Sequence, residues 1–288
     1  MKFNLREKEL IFDRTYIMGI LNITPDSFYD GGKFFSFEKA IEQANKIIND
    51  GADIIDIGGE STRPGAKRIS AEEEINRIIP VIDAIRKYNK EILISVDTYK
   101  SEVAKEAIEH GADIVNDISG GMFDEDIFKI VTKYNVGYVI MHIQGTPEIM
   151  QINPVYSENG VVNDIINYFK ERISIAANYG ININKIILDP GIGFGKTFEH
   201  NLEILNNLDK FKQFNLPILI GTSRKSFIGK ILNKEPENRL YGTIASVVLS
   251  IVKGANIVRV HDVKEVKDAV FVADAILKNN NCEKVTEK

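Results

Sequence analysis

The sequence predicts a closed barrel of eight β/α units, a (β/α)8 TIM barrel in one domain. Short runs rich in Ile and Val alternate with longer stretches whose apolar residues recur at helical spacing. One helix-to-strand corner occurs three times, as Gly-Ala-Asp-Ile at 51–54 and 111–114 and as Gly-Ala-Asn-Ile at 254–257. Eight such units fit into about 270 residues, the usual length of this architecture. An open doubly wound sheet would carry a Gly-rich phosphate loop after its first strand, and residues 22–32 lack that fingerprint.

The elements follow in order. Strands are expected at 16–22, 54–58, 93–97, 114–116, 137–142, 186–189, 218–221 and 257–260. Helical patterns occupy 36–50, 70–88, 101–110, 124–134, 162–179, 199–211, 241–254 and 263–277. Ser70 followed by Glu73 reads as a capping box, and Gly51, Gly111, Gly180 and Gly254 stand where helices should stop. Residues 1–14 are expected to form a hairpin or cap at the bottom of the barrel, 15–278 the barrel, and 279–288 a polar tail.

Composition narrows the class. The 36 Lys and Arg against 41 Asp and Glu leave a formal charge of −5, which argues against a general nucleic-acid binder. The single cysteine, Cys282, can form neither an internal disulfide nor a thiolate cluster. The first residues, MKFNLREKELIFDR, hold no apolar signal core, and no run reaches the roughly 18 apolar residues of a membrane span. A cytoplasmic protein is the expectation.

In such barrels chemistry sits at the C-terminal strand ends, and each predicted strand here runs into polar residues. They are Asn22, Glu60 with Arg63, Asp97, Asn116 with Asp117, His142 with Gln144, Asp189, the Thr222–Ser226 run, and Arg259 with His261 and Asp262. One such residue commonly caps a turn. Eight sets converging on one rim would bury many polar groups, and a polar small-molecule ligand is their natural partner. Arg63, Lys225, Arg259 and His261 suit an anionic group, whereas Asp97 and Asp189 suit an N–H-rich ring edge. The alternative, a metal hydrolase, is weakened because the first strand has no His-x-His pair.

These residues lie within longer recognisable segments. They are MGILNITPDSFYDGG at 18–32, GADIIDIGGESTRPG at 51–65, SVDTYK at 95–100, NDISGG at 116–121 and MHIQGTP at 141–147. LDPGIGFGK at 188–196, GTSRKSFIG at 221–229 and RVHD at 259–262 complete the set. In order, and over nearly the whole chain, they resemble the signature segments of the dihydropteroate synthases. The only departure noted is Ile143, often Met in that family.

The resemblance implies displacement of diphosphate from (7,8-dihydropterin-6-yl)methyl diphosphate by the amine of 4-aminobenzoate. It assigns the pterin to Asp97, Asn116, Asp189, Lys225 and Arg259, and the diphosphate to Asn22, Arg63, Arg259 and His261, with Mg2+ contacted through Asn22. It places 4-aminobenzoate at Thr62, Pro64, Phe194, Lys225 and Ser226, and gives Asp30 the task of stabilising a cation formed as diphosphate leaves. It further implies a homodimer and a sulfonamide target. The general barrel rule would instead send phosphate to the loops after strands seven and eight. A pterin-binding methyltransferase would share the pterin-holding residues but has no use for Ser-Thr-Arg-Pro at 61–64 or Ser-Arg-Lys-Ser at 223–226. A pterin binder without turnover is the other rival, which an assay separates. His142 and Asp56 fall outside the expected contacts, and His110 and His200 read as helix-end surface residues.

Overall fold

A computed structural model describes residues 2–5, 8–24, 32–63 and 65–279. Two short antiparallel strands, β1 (Lys2–Leu5) and β2 (Lys8–Ile11), form the expected hairpin. Eight parallel strands follow: β3 (Tyr16–Asn22), β4 (Ile54–Gly58), β5 (Leu93–Asp97), β6 (Ile114–Asp117), β7 (Gly137–Met141), β8 (Ile186–Asp189), β9 (Leu219–Ile220) and β10 (Ile257–Val260). Their order around the wall is β8-β7-β6-β5-β4-β3-β10-β9. A parallel bridge between Leu188 and Ile218 joins the two ends, and Leu188 N donates to Pro217 O at 2.9 Å. The wall is closed, as the sequence predicts.

Between the strands, among the described residues, run α1 (Gly32–Asn49), α2 (Ala71–Tyr88), α3 (Ser101–Glu109), α4 (Asp126–Tyr134), α5 (Val161–Asn178), α6 (Phe198–Asn206), α7 (Ser226–Leu232), α8 (Leu240–Val252) and α9 (Val263–Asn279). Three details depart from the sequence reading. Residues 226–232, outside the predicted helical patterns, are helical, and the helix expected over 199–211 ends at Asn206, with a 3-10 segment at Leu208–Phe214. The capping box at α2 is half made: Ser70 Oγ accepts from Glu73 N at 3.1 Å, but the Glu73 carboxylate turns to Arg77. A complete box forms instead at α6, where Thr197 and His200 each bond the other's backbone N–H.

The period-2 alternation of a strand divides the core. Ile17, Ile55, Ile94, Val115, Ile140, Leu188, Ile220 and Val258 face outward into the cluster shared with the helices. Met18, Ile54, Leu93, Ile114, Val139, Ile187, Leu219 and Ile257, one from each strand, pack with Phe3, Leu5 and Leu10 of the hairpin. This apolar layer, plugged from below by the hairpin, is the floor beneath everything polar.

Candidate active site

Counting two residues up each strand from that floor gives the next interior layer: Ile20, Asp56, Ser95, Asn116, Met141, Asp189, Gly221 and Arg259. One further step reaches Asn22, Gly58 and Asp97, which lie side by side in register on β3, β4 and β5. The same alternation that builds the floor therefore stacks two carboxylates, an amide and a guanidinium directly over it, with Asp97 and Asn22 above them. Gly58 keeps that space open. A Cβ there would stand 3.6 Å from Asn22 Oδ1 and 3.7 Å from Asp97 Oδ2.

Arg259 organises this layer. Its Nε donates to Asp56 Oδ2 and its Nη2 to Asp97 Oδ2, both at 2.6 Å, and Asn116 Nδ2 donates to the same Asp56 oxygen at 3.1 Å. Asp56 is fully buried, and Asp97, Asn116 and Asp189 are buried with it. Buried polar atoms are normally satisfied, yet Asp56 Oδ1, Asp97 Oδ1 and Ser95 Oγ have no protein partner among the described residues. Burial raises the Asp97 carboxyl to about 7 against the pull of Arg259, and raises Asp189 to about 6 against its bond from Gly191 N at 2.7 Å. Burial also lowers the Lys225 ammonium to about 8, assisted by Arg259.

The loops after β8 and β9 form one wall. Gly191 has φ +70, and a Cβ on it would meet His142 O at 2.0 Å, so only glycine allows this turn. Lys225 Nζ lies 4.2 Å from the centroid of the Phe194 ring, a cation–π contact. Beneath Phe194 the buried Lys196 ammonium donates to Phe194 O at 2.9 Å and His142 O at 3.3 Å, and meets His142 Nδ1 at 3.0 Å. Burial holds both Lys196 and His142 well below their ordinary values. The next loop carries strain: Arg224 adopts φ 58, held by Thr243 Oγ1 accepting from its N at 3.1 Å and by an ion pair with Asp262. That conformation sets the direction from which Lys225 and Ser226 enter.

His261 differs from its sequence reading as a potential cation. Burial first, then Arg259 and Arg224, hold it down at about 3. Ser223 Oγ accepts from His261 N at 3.2 Å and lies 3.0 Å from Nδ1. With Nδ1 accepting from that hydroxyl, the ring is neutral and its proton is on Nε2, a donor rather than a charge.

Among the other expected contacts, Thr62 is half-buried and Arg63 exposed on the loop after β4, Phe194 is half-buried and Ser226 is exposed. Asp30 and Pro64 lie outside the described residues. The fold thus brings Asn22, Asp97, Asn116, Asp189, Phe194, Lys225, Arg259 and His261 to one end of the barrel. Asp56, left aside by the sequence reading, belongs to the same layer. Its signal was available: it stands two residues beyond Ile54, as Asn116, Asp189 and Arg259 stand beyond Ile114, Ile187 and Ile257.

No group of three or more His, Cys, Asp or Glu side chains suited to a metal occurs among the described residues. A cation that keeps water and takes phosphate oxygens needs only one or two protein oxygens, as Mg2+ does. Asn22 Oδ1, bordering the space over Gly58, supplies an oxygen ligand of the right kind, whereas Asp97 Oδ2 beside it is already taken by Arg259. The residues present fit that ion.

With this geometry in view, the comparisons are specific. A family model described as pterin binding enzyme matches residues 18–261. The dihydropteroate synthase of Clostridium beijerinckii is 50% identical over 269 residues, covering 93% of this chain and 96% of that protein. The dihydropteroate synthase of Bacillus subtilis is 47% identical, covering 92% and 90%. Among solved structures, the Yersinia pestis dihydropteroate synthase in a sulfonamide drug complex superposes with a TM-score of 0.90 at 40% identity, covering 96% of this chain and 100% of that one. The Xanthomonas albilineans enzyme with 4-aminobenzoic acid gives a TM-score of 0.89 at 36% identity, covering 96% and 98%. The chain belongs to the dihydropteroate synthase family of pterin-binding enzymes.

Proposed function

We propose that this chain joins the methylene carbon of (7,8-dihydropterin-6-yl)methyl diphosphate to the amine of 4-aminobenzoate, releasing diphosphate and a proton, as a step of folate biosynthesis. The observation that carries the reading is the buried layer over the apolar floor. Asp56, Asp97, Asn116 and Asp189 present acceptors there, with carboxylate oxygens on Asp56 and Asp97 unpaired, while Arg259 spans the carboxylates and Lys225 stands across from them. A flat ring rich in N–H groups with one carbonyl matches that set, and an anionic tail matches the cations around its rim.

In this reading Asp97, Asn116 and Asp189 accept from or donate to the ring edge, and Lys225 donates to its carbonyl and ring nitrogen. Arg259, planar and permanently charged, lies on the ring face and reaches the diphosphate. His261 adds a neutral Nε2–H donor, and Arg63 and Asn22 complete the anion's surroundings. Mg2+, when bound, would neutralise charge on the departing diphosphate, and Asn22 would hold it. The C–O bond breaks as the C–N bond forms or shortly before, so a positive charge on the pterin methylene is stabilised by the electron-rich ring and by Asp30. Thr62, Pro64, Phe194 and Ser226 then hold the 4-aminobenzoate ring and carboxylate so that its amine faces the methylene, and sulfonamides would compete for the same place. Orienting two substrates and stabilising a leaving anion are together sufficient for large accelerations. The test is diphosphate release. Steady turnover is expected only when both substrates and Mg2+ are supplied, with 7,8-dihydropteroate formed in equal amount, and diphosphate release unmatched by 7,8-dihydropteroate under those conditions would refute the reading.

A pH dependence follows from the same groups. Asp97 and Asp189 accept pterin N–H groups best when ionised, and burial has raised them to about 7 and about 6. Pterin affinity therefore falls, and binding releases protons, as pH drops through that range. Lys225 donates best when protonated, and burial has lowered it to about 8, so affinity also falls above that pH. The three charges interact and titrate as a set, giving one bell with its top between the flanks. Calorimetry in buffers of different ionisation enthalpy reads both arms, and a flat profile from pH 5.5 to 9 would contradict the assignment.

A homodimer is proposed through the neighbouring helices α7, α8 and α9, which expose Ile231, Tyr241, Leu249, Phe271 and Ile276 to solvent. Large apolar side chains exposed on three neighbouring helices mark a face suited to burial against another copy, and a two-fold pair is the commonest such assembly. Sedimentation showing a monomer at micromolar concentration would exclude it.

A further inference from the structure

The chain leaves β4 at Gly58, carries Thr62 and Arg63 outward, and returns at Ser70, the cap of α2. Its outer attachments lie near the surface, where Arg68 stands over the Tyr99 and Phe123 rings at 5.6 and 5.4 Å. Ala66 N donates to Arg63 O at 3.0 Å and Gly65 N to Pro147 O at 3.1 Å, and Arg68 pairs with Glu148 in an exposed contact at 2.7 Å. An exposed pair of that kind is screened by water and holds little. The neck of the loop is different. Glu60 is 8% exposed, and its Oε2 accepts from Ile69 N at 3.0 Å, so one side chain ties the start of the segment to its end.

That carboxylate is also bound from the adjacent strand end. Tyr99 OH donates to Glu60 Oε1 at 2.8 Å and Lys100 Nζ to Glu60 Oε2 at 2.6 Å. Tyr99 and Lys100 follow Asp97 by two and three residues. Lys100 has a second partner, Glu74 Oε2 of α2, at 2.6 Å, so Glu60 is not needed to neutralise it. A carboxyl group that takes three donors from two directions has little freedom to turn. The geometry fixes the root of the loop to the strand that carries Asp97.

We infer that Glu60 is a positioning residue for the arylamine half of the reaction: it clamps the neck of the 60–69 loop to the end of β5 and so fixes where Thr62 meets 4-aminobenzoate, with Arg63 beside it at the diphosphate. This rests on the function proposed above, because it takes Thr62 and Arg63 as contacts of 4-aminobenzoate and diphosphate. Glu60 itself touches neither ring nor reacting atom in this assignment. The alternative, that Glu60 serves only as a counter-charge for Lys100, predicts that any carboxylate at position 60 suffices.

The experiment uses the full chain, with calorimetric binding of 6-hydroxymethyl-7,8-dihydropterin beside steady-state kinetics. In Glu60→Gln an amide oxygen can still meet Ile69 N and Lys100, with the amide N–H turned to the Tyr99 hydroxyl, but the charge that lets one oxygen hold both donors is lost. KM for 4-aminobenzoate should rise about tenfold or more with a drop in kcat, while pterin affinity stays within about threefold because Asn116, Asp189, Lys225 and Arg259 lie on other elements and Asp97 is held by Arg259 rather than by Glu60. Glu60→Asp keeps the charge but is one methylene too short to span the neck, so the same selective defect is expected. Wild-type KM in Glu60→Asp would show a counter-charge only and overturn the proposal, as would equal losses of pterin affinity and 4-aminobenzoate KM in Glu60→Gln. If Glu60→Gln fails to fold, as circular dichroism would report, Glu60→Asp alone decides. Absence of product from the unmodified enzyme would fault the proposed function instead, which separates the two failures.

Discussion

Arg259→Met is expected to lower kcat/KM by about three orders of magnitude, the largest loss from any single change here. The side chain would contact the pterin face and the departing anion at once, and removing one donor to developing charge typically costs about 10²–10³ in rate. Its absence also leaves Asp56 and Asp97 buried without their shared cation. Breaking a buried pair this way destabilises by about 3–5 kcal/mol, and proton uptake by one carboxyl near neutral pH would soften the loss. Asp56→Asn in the same chain should restore much of the melting temperature and none of the activity. Thermal denaturation with single-turnover kinetics separates the two effects. Activity within tenfold of the unmodified enzyme would remove Arg259 from the chemistry.

The second large effect is on binding. Asp189 stands at the end of β8 with Oδ1 accepting from Gly191 N at 2.7 Å. Asp189→Asn keeps an acceptor for that bond, so the turn into the loop survives, but its amide presents N–H to an N–H of the pterin. A hydrogen bond to a charged group contributes about 1.5–3 kcal/mol, so pterin affinity should fall roughly tenfold to a hundredfold. Calorimetry on the folded variant reads it directly, and an unchanged affinity would place the ring elsewhere.

Much of this was legible before any coordinates. The strand runs at 16–22, 54–58, 93–97, 186–189 and 257–260 reappear with the same bounds because each is a short, largely apolar run that meets a polar residue or a glycine at or just beyond its upper end. The boundaries that moved have local causes. Residues 226–232 follow the strained Arg224 and make a helix too short to show periodicity. The stretch after Asn206 tightens into a 3-10 turn that buries Leu208 and Phe211, a choice made by packing rather than propensity. In the candidate site, residues at strand ends could be read one by one, whereas residues defined by a distant partner could not. Lys196 meets His142 across 54 positions, and Glu60 meets Tyr99 across 39. Neither pairing has a periodic trace in sequence. Asp56 lay between these cases, hidden inside an apolar run yet in phase with Asn116 and Asp189.

The wall of the barrel is not uniform around its circumference. Between β8 and β9 it is held by the single Leu188–Ile218 bridge, whereas every other seam is a ladder of two or more residue pairs. Asp189 tops one side of that seam, and the chain leaving β9 on the other side leads to Lys225. A rigid bicyclic ring bonded to both would act as the missing rung, carrying load between two staves that the backbone barely joins. The first substrate would then complete the cylinder as well as occupy it. Amide exchange around Leu188 and Ile218 should slow when the pterin is bound, far more than at the β4–β5 seam, which is already stitched along its length.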